Sequence, residues 1–174
     1  MGASCGKGSA VMRLPSTILL DTNTWIDSCI GTRTGSAKSR QLLCACVEKE
    51  ISVCLAITSL KDIYYQVGAE LKRERRATGE ALTEAAALAI EEVSWQSVMT
   101  IVEQATIVPA DTSDVTVARY FHQIHRDFED DLVLAAVERS GADYLITNDK
   151  RLRTHAPVAA ITPADMLTLL ESFE

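Results

Sequence analysis

The stretch Asp127-Phe-Glu-Asp-Asp-Leu-Val-Leu-Ala-Ala136 decides the fold, because it joins a group of acids directly to a run of core residues. Four of its first five residues are acidic, and the residues from Leu132 to Val137 are all apolar. The unpaired N–H groups and the positive dipole at a helix N-terminus favour one or two such carboxylates. They do not account for further acids at equivalent points of the chain, whereas a bound cation would explain all of them together.

Working outward from this stretch, short apolar segments alternate with helical ones. We predict strands at residues 17–20, 52–55, 106–108, 144–147 and 158–161. We predict helices just after Asp21, over residues 36–50, from Ser59 to a break at Gly79, over residues 80–96, 111–125 and 130–140, and from Pro163. This alternation predicts an α/β fold, a three-layer α/β/α sandwich with a central, mostly parallel sheet.

The composition is that of an ordinary globular protein of 174 residues with 47% hydrophobic residues. Its net charge of −7 argues against a protein that coats nucleic acid, but it allows an enzyme that grips nucleic acid locally. No apolar run approaches the roughly 20 residues of a membrane span. The five cysteines form no CxxC pair, which is typical of a reduced cytoplasmic protein. We expect a flexible tail over residues 1–16 and a single domain over residues 17–174.

Four acids fall at comparable points of the predicted fold. Asp21 and Asp149 directly follow strands, and Asp62 and Asp130 lie in the first turns of helices. In open α/β sheets the carboxyl ends of the strands form the site, so these side chains can meet at one edge. Two carboxylates about 4 Å apart repel by roughly 4 kcal/mol at an effective dielectric constant of 20. Mg²⁺ or Mn²⁺, which bind oxygen ligands, would remove this repulsion.

Each acid also has a purely structural interpretation as a helix cap. Asp21 can cap the short helix that follows it, and Asp149 can cap the turn at Lys150. The Ser59–Asp62 segment fits a capping box, and residues 127–130 fit one loosely. Capping does not require all four acids to fall at the same edge of a sheet, so their common position favours the metal site.

Three segments, in this order and spacing, resemble motifs of the PIN-domain family, which includes the VapC-like toxin ribonucleases. They are Ile18-Leu-Leu-Asp-Thr-Asn-Thr-Trp-Ile-Asp27, the acidic stretch quoted first, and Gly141-Ala-Asp-Tyr-Leu-Ile-Thr-Asn-Asp149. The resemblance covers about residues 17–165. It implies an α/β/α nuclease that uses Mg²⁺ or Mn²⁺ to cleave RNA by metal-assisted hydrolysis, without a covalent intermediate. Many members are the toxin half of a toxin–antitoxin pair, so the resemblance also implies an antitoxin partner and a homodimer.

Carried over to this chain, the resemblance assigns the catalytic and metal-binding roles to Asp21, Asp62, Asp130 and Asp149. It assigns supporting polar roles to Asn23 and Thr147. Two positions depart from the family pattern. The second acid is commonly Glu, and the shorter Asp62 is expected to act through a water molecule. Asp131 stands where a small residue is usual, so that Asp130 and Asp131 could share or exchange the role.

Basic residues that could bind RNA phosphates follow the last motif. We expect phosphate contacts from Lys150, Arg151 and Arg153. A second basic group, residues 72–76, ends the third helix, where cations are favourable in any case. His122 and His125 are three residues apart on a predicted helix and could bind a metal together, although packed or solvated histidines are the commoner outcome.

Three hypotheses remain open from the sequence. The first is a PIN ribonuclease acting as a toxin. The second is a PIN-like module that binds RNA or protein without cutting, suggested by the shortened Asp62. The third is an unrelated doubly wound enzyme, which is weakened because the sequence contains no Walker loop, GxGxxG or DxDxT motif.

Overall fold

A computed structural model of the protein describes residues 13–124 and 126–173. Its centre is a sheet of five strands in the order β3-β2-β1-β4-β5, and every neighbouring pair is parallel. The strands are β1 (Thr17–Leu20), β2 (Ser52–Ala56), β3 (Thr106–Val108), β4 (Tyr144–Ile146) and β5 (Ala159–Ile161). The predicted parallel α/β fold is confirmed.

Helices cover both faces of this sheet. In the described part of the chain they are α1 (Thr22–Cys29), α2 (Ser36–Glu48), α3 (Ile57–Ala77), α4 (Glu84–Gln104), α5 (Thr112–His122), α6 (Phe128–Ser140), α7 (Lys150–His155) and α8 (Pro163–Glu171). Successive residues of a strand point to opposite faces. Ile18 and Leu20 therefore pack against α1, α2, α3, α4 and α8, while Leu19 packs against α5, α6 and α7. Two apolar layers result, one on each side of the sheet.

The position of β1 creates a crevice at one edge of the sheet. Leu19 of β1 aligns with Cys54 of β2 on one side and with Leu145 of β4 on the other. The chain thus runs outward from β1 in both directions, which makes the gap between β1 and β4 the topological switch point. Ligands of open α/β sheets bind at this point, beyond the carboxyl ends of the strands. The residues that follow Leu20 and Ile146 form its walls.

The acidic stretch forms the start of α6, as its sequence predicts. Asp127 caps the helix, and its Oδ1 accepts a hydrogen bond from the N–H of Glu129 at 3.2 Å. The apolar run from Val133 to Val137 is buried against the sheet. Gly141 ends the helix with a φ of 64°, a left-handed conformation that glycine adopts without steric cost.

Several predicted boundaries differ from the structure. Helix α4 extends to Gln104 instead of ending near Gln96, and α7 was not predicted. Ser59 does not cap α3, which already begins at Ile57, because its hydroxyl accepts a buried hydrogen bond from Thr22 at 2.8 Å. Leu42 and Cys46 of α2 are buried, whereas Val47 of the same helix has an exposed fraction of 80%.

The described residues include 13–16, which precede β1 and were predicted as part of the tail. The carboxylate of Asp143 accepts hydrogen bonds from the Ser16 N–H at 2.8 Å and from Arg13 Nη2 at 3.1 Å. Residues 1–12 of the predicted tail, together with Cys5, lie outside the described residues, as does His125. Cys29, Cys44, Cys46 and Cys54 are free thiols. In the described part of the chain, no helix is long and apolar enough to cross a membrane.

Candidate functional site

Asp21 lies at the switch point, at the carboxyl end of β1. Its side chain is almost fully buried, and its Oδ2 accepts a hydrogen bond from the Thr147 hydroxyl at 2.8 Å. The same hydroxyl oxygen accepts the backbone N–H of Asp149 at 3.0 Å. One threonine side chain therefore fixes the first acid and the loop that carries the last. Thr147, which we predicted in a supporting role, contacts Asp21 through its hydroxyl.

Burial raises the pKa of Asp21 from its ordinary value of 3.8 to about 6. The Thr147 hydroxyl and the backbone amides of Thr22 and Asn23 lower this pKa, and the nearby charge of Asp149 raises it. Asn23 thus influences Asp21 through its main chain, while the residue itself is exposed. A nearby positive charge would stabilise the charged form of a carboxyl group with this pKa.

Asp130 lies near Asp21, in the first turn of α6. Burial, and after it the charges of Asp127, Asp21 and Asp149, raise its pKa from 3.8 to about 7. The charge of Asp149 acts on both Asp21 and Asp130, and that of Asp21 acts on Asp130, so these three acids lie within electrostatic range of one another. The convergence that we expected at this edge of the sheet is present for these three acids.

Asp131 faces a different part of the protein. Its side chain is fully buried, and its Oδ2 lies 2.7 Å from His122 Nδ1 on α5. Neighbouring residues of a helix point about 100° apart, so the two carboxylates of this pair cannot face the same way. The structure therefore directs Asp130 toward Asp21, and it directs Asp131 toward α5.

Asp62 sits at the margin of the acidic group. Its carboxylate pairs with Lys61 at 3.3 Å, and 24% of its side chain is exposed. Its charge acts on Glu129, whose pKa is raised first by burial and then by Asp62 and Asp127. Sequence reasoning missed Glu129, although it belongs to the acidic stretch quoted first.

Asp149, which we assigned to the site, caps α7 through its side chain. Its Oδ1 accepts hydrogen bonds from the N–H of Arg151 at 2.6 Å and from that of Leu152 at 3.1 Å. The structural interpretation offered for this residue is confirmed. It does not displace Asp149 from the acidic group, because its charge still raises the pKa of both Asp21 and Asp130.

The basic residues predicted to bind RNA lie on α7 and separate into two kinds. Lys150 and Arg151 are exposed, next to Asp149. Arg153 is half-buried, and its charge lowers the pKa of Asp165 on α8. Arg153 therefore faces α8, which leaves Lys150 and Arg151 as the accessible cations of this segment.

A pocket of about 660 Å³ adjoins the acids, and sequence reasoning did not find it. Asp27, at the end of the first motif, is buried in its wall, and Asn148 lies between the pocket and Asp149. A Cβ on Gly35 would lie 2.0 Å from Asp27 Oδ2, so this position has no room for a side chain. The sequence signals that point to this arrangement are the spacing of Asp27 from Asp21 and the glycines of the loop that follows.

Comparison with known families identifies the chain. The sequence profile of the PIN domain matches residues 17–151. The chain belongs to the PIN-domain family. Members of this family are generally nucleases and typically depend on a divalent metal. Comparison of the sequence with curated proteins found no significant match.

Solved structures share the fold of this PIN domain at low sequence identity. The DNA-bound VapBC complex of Salmonella typhimurium gives a TM-score of 0.57 at 15% identity, over 83% of this chain and 96% of that one. The VapBC2 complex of Rickettsia felis, bound to a promoter fragment, gives 0.56 at 12% identity over the same shares. The sarcin-ricin-loop-cleaving toxin VapC20 of Mycobacterium tuberculosis gives 0.55 at 11% identity, over 79% of this chain and 93% of that one.

The acidic group fits a hard divalent cation by its donor chemistry, since its donors are carboxylate oxygens. Burial first, and then neighbouring carboxylates, raise the pKa values of Asp21 and Asp130, so a bound cation would favour their charged forms. Over residues 13–124 and 126–173, no three His, Cys, Asp or Glu side chains form a ready-made metal site.

The stability of the metal-free PIN domain is expected to fall as pH rises from about 4 to about 7. The folded state keeps protons on Asp21 and Asp130 that the unfolded chain has already released, because both folded-state pKa values exceed 3.8. After discounting for solvent screening at half-buried Asp130, we expect a loss of about 2 to 4 kcal/mol. Urea denaturation in EDTA across this pH range measures it.

The matched control is the double variant Asp21→Asn with Asp130→Asn, in which most of this pH dependence should disappear. A wild-type stability that rises between about pH 4 and pH 7, or a double variant with an unchanged slope, would contradict the assignment.

Proposed function

We propose that this PIN domain, extending over residues 17–174, is an endoribonuclease that hydrolyses RNA phosphodiester bonds with Mg²⁺ or Mn²⁺. The observation that carries this proposal is the position of Asp21 at the switch point with Asp130 nearby in the first turn of α6, close enough that the charge of Asp21 raises the pKa of Asp130. Carboxylates brought together beyond the carboxyl ends of parallel strands are a usual setting for a catalytic cation.

Asp21 and Asp130 would supply the main oxygen ligands of a divalent cation, and Asp149 and Asp62 would complete the acidic surroundings. When bound, the cation would lower the pKa of water and offset the charge on the phosphate oxygens. The Thr147 hydroxyl holds the Asp21 carboxylate in one orientation. Lys150 and Arg151 are placed to bind RNA phosphates beside Asp149.

We further propose that the protein acts as the toxin of a toxin–antitoxin pair, in the cytoplasm and as a homodimer. The support is the shared fold with VapBC complexes and with the VapC20 toxin. A toxic ribonuclease should arrest growth when it is expressed, and the Asp130→Asn variant should not. Light scattering that shows a monomer at high concentration would count against the dimer.

Cleavage of RNA by purified protein should stop in EDTA and return when Mg²⁺ or Mn²⁺ is added in excess. The carboxylates cannot neutralise a developing charge on the phosphate, so no activity of this site survives without the cation. The measurement is the initial rate on single-stranded RNA. The Asp130→Asn protein, purified in the same way, reveals any contaminating ribonuclease, and cleavage that continues in chelator would refute the mechanism.

The second candidate is a PIN-like module that binds RNA or protein without cutting. Two contacts favour it: Asp62 is paired with Lys61, and Asp149 is engaged as a cap. The same assay separates the two functions, because this alternative predicts RNA binding with no metal-dependent cleavage.

A further inference from the structure

The pocket is linked to the site by one residue of its lining, Asn148. Asn148 contributes to its wall and stands in the chain between Thr147, which holds Asp21, and Asp149. The remaining walls come from the loop after α1, from α3 and from the start of α8. They consist of Asp27, Thr32, Arg33, Thr34, Gly35, Lys38, Glu70, Arg73, Pro163 and Ala164. At about 660 Å³ the pocket has the size of ordinary ligand sites.

The inner wall of the pocket is held by partly buried ion pairs. Arg33 Nε donates to Asp27 Oδ1 at 2.5 Å, and Arg33 Nη1 donates to Glu70 Oε1 at 3.2 Å. The amide of Asn148 approaches Asp27 Oδ2 at 3.5 Å. Because Asp27 is buried and cross-linked in this way, the pocket has a fixed shape beside the site and is not a gap between mobile surface side chains.

The net charge of the pocket lining is opposite in sign to the net charge of the whole chain. The protein carries a net charge of −7, yet three cations, Arg33, Lys38 and Arg73, line the pocket against the two acids Asp27 and Glu70. Arg33 pairs with both acids, and Arg73 pairs with Glu70 as well. Lys38 is exposed, with its Nζ donating to Gln41 at 3.2 Å, and 73% of the Arg73 side chain is exposed. The excess positive charge therefore lies at the rim.

We propose that this pocket holds the nucleotide next to the scissile phosphate, with Lys38 and Arg73 binding the adjoining phosphate of the RNA strand. This inference rests on the proposed ribonuclease function for the identity of the ligand. A strand whose scissile phosphate lies at Asp21 and Asp130 must continue along the surface on one side. Asn148, next to Asp149 in the chain, lines a pocket with a cationic rim, which suits a polyanion better than a basic or an apolar partner.

The test is the affinity of the metal-free protein for a short, fluorescein-labelled, single-stranded RNA pool of random sequence. The double variant Lys38→Gln with Arg73→Gln should bind about tenfold more weakly than wild type. Each lost phosphate contact should also reduce the slope of log affinity against log salt by about 0.7. In the cleavage assay the same variant should lower kcat/KM by raising KM, with little change in kcat.

The control removes the same charge from elsewhere on the surface, with Arg13→Gln and Arg119→Gln in one protein. This control should bind RNA as wild type does, and circular dichroism should confirm that both double variants are folded. Equal loss in the two double variants, or no loss with Lys38→Gln and Arg73→Gln, overturns the proposal and leaves the pocket to another ligand. If wild type binds RNA through this rim but cuts none, the ribonuclease proposal fails, and the RNA-binding role of the pocket stands without a scissile phosphate beside it.

Discussion

Replacement of Asp130 by asparagine is expected to lower the rate of RNA cleavage at saturating Mn²⁺ by at least about a thousandfold. The neutral amide loses the charge interaction with a cation at this point, which is worth roughly 4 kcal/mol at an effective dielectric constant of 20. Each 1.36 kcal/mol corresponds to a factor of about ten in rate. Asp130 is the acid of α6 whose pKa is raised by the charge of Asp21, so it lies near Asp21, and a neighbouring carboxylate cannot take its place without movement of the backbone.

The matched control is Asp131→Asn, one residue further along the same helix. Its carboxylate contacts His122 at 2.7 Å, away from Asp21, and its loss should change the cleavage rate by less than about tenfold. Circular dichroism must show that both variants are folded, because Asp131 is fully buried. A dead Asp131→Asn protein beside an active Asp130→Asn protein would show that the two roles are reversed.

Replacement of Asp21 by asparagine should abolish cleavage to a similar extent and, at the same time, stabilise the metal-free protein. An asparagine side chain keeps an oxygen that can accept the Thr147 hydroxyl, while the buried charge is removed. The pKa of about 6 indicates a gain of about 1 to 3 kcal/mol at about pH 7.5. The gain should vanish near pH 4, where Asp21 is protonated in the wild type.

Urea denaturation in EDTA at the two pH values measures this effect, and Asp143→Asn provides a control of opposite sign. Hydrogen bonds from Ser16 and Thr17 lower the pKa of Asp143, so its charged form stabilises the fold and its replacement should destabilise the protein. An Asp21→Asn protein less stable than wild type at about pH 7.5 would show that the charge at this position is compensated.

Most of the fold could be predicted because its local signals agree. The apolar run after the acids, the glycine at 141 and the short strands before Asp21 and Asn148 all carry their own periodicity or turn chemistry. The parallel sheet then follows from the alternation of elements, and the switch point follows from the strand order. The three acids Asp21, Asp130 and Asp149 could be placed together for the same reason.

What the sequence did not reveal depends on contacts between distant residues. Helix α7 has six residues, too few to show a helical period, and it is stabilised by a cap whose residue we had assigned to the site. The pocket depends on Arg33 reaching both Asp27 and Glu70, which lie 6 and 37 residues away. Neither contact leaves a local pattern, since ion pairs of this kind are made by tertiary packing.

Asp149 caps α7 and also belongs to the acidic group, and these two roles together affect the basic segment that follows it. A helix as short as α7 has little stability of its own, and a side-chain cap contributes about 1 kcal/mol. If the Asp149 carboxylate turns toward Asp21 and Asp130, the N–H groups of Arg151 and Leu152 lose their acceptor. Occupation of the acidic crevice would then favour unwinding of the segment that carries Lys150 and Arg151. Unwinding of this segment would in turn favour occupation of the crevice.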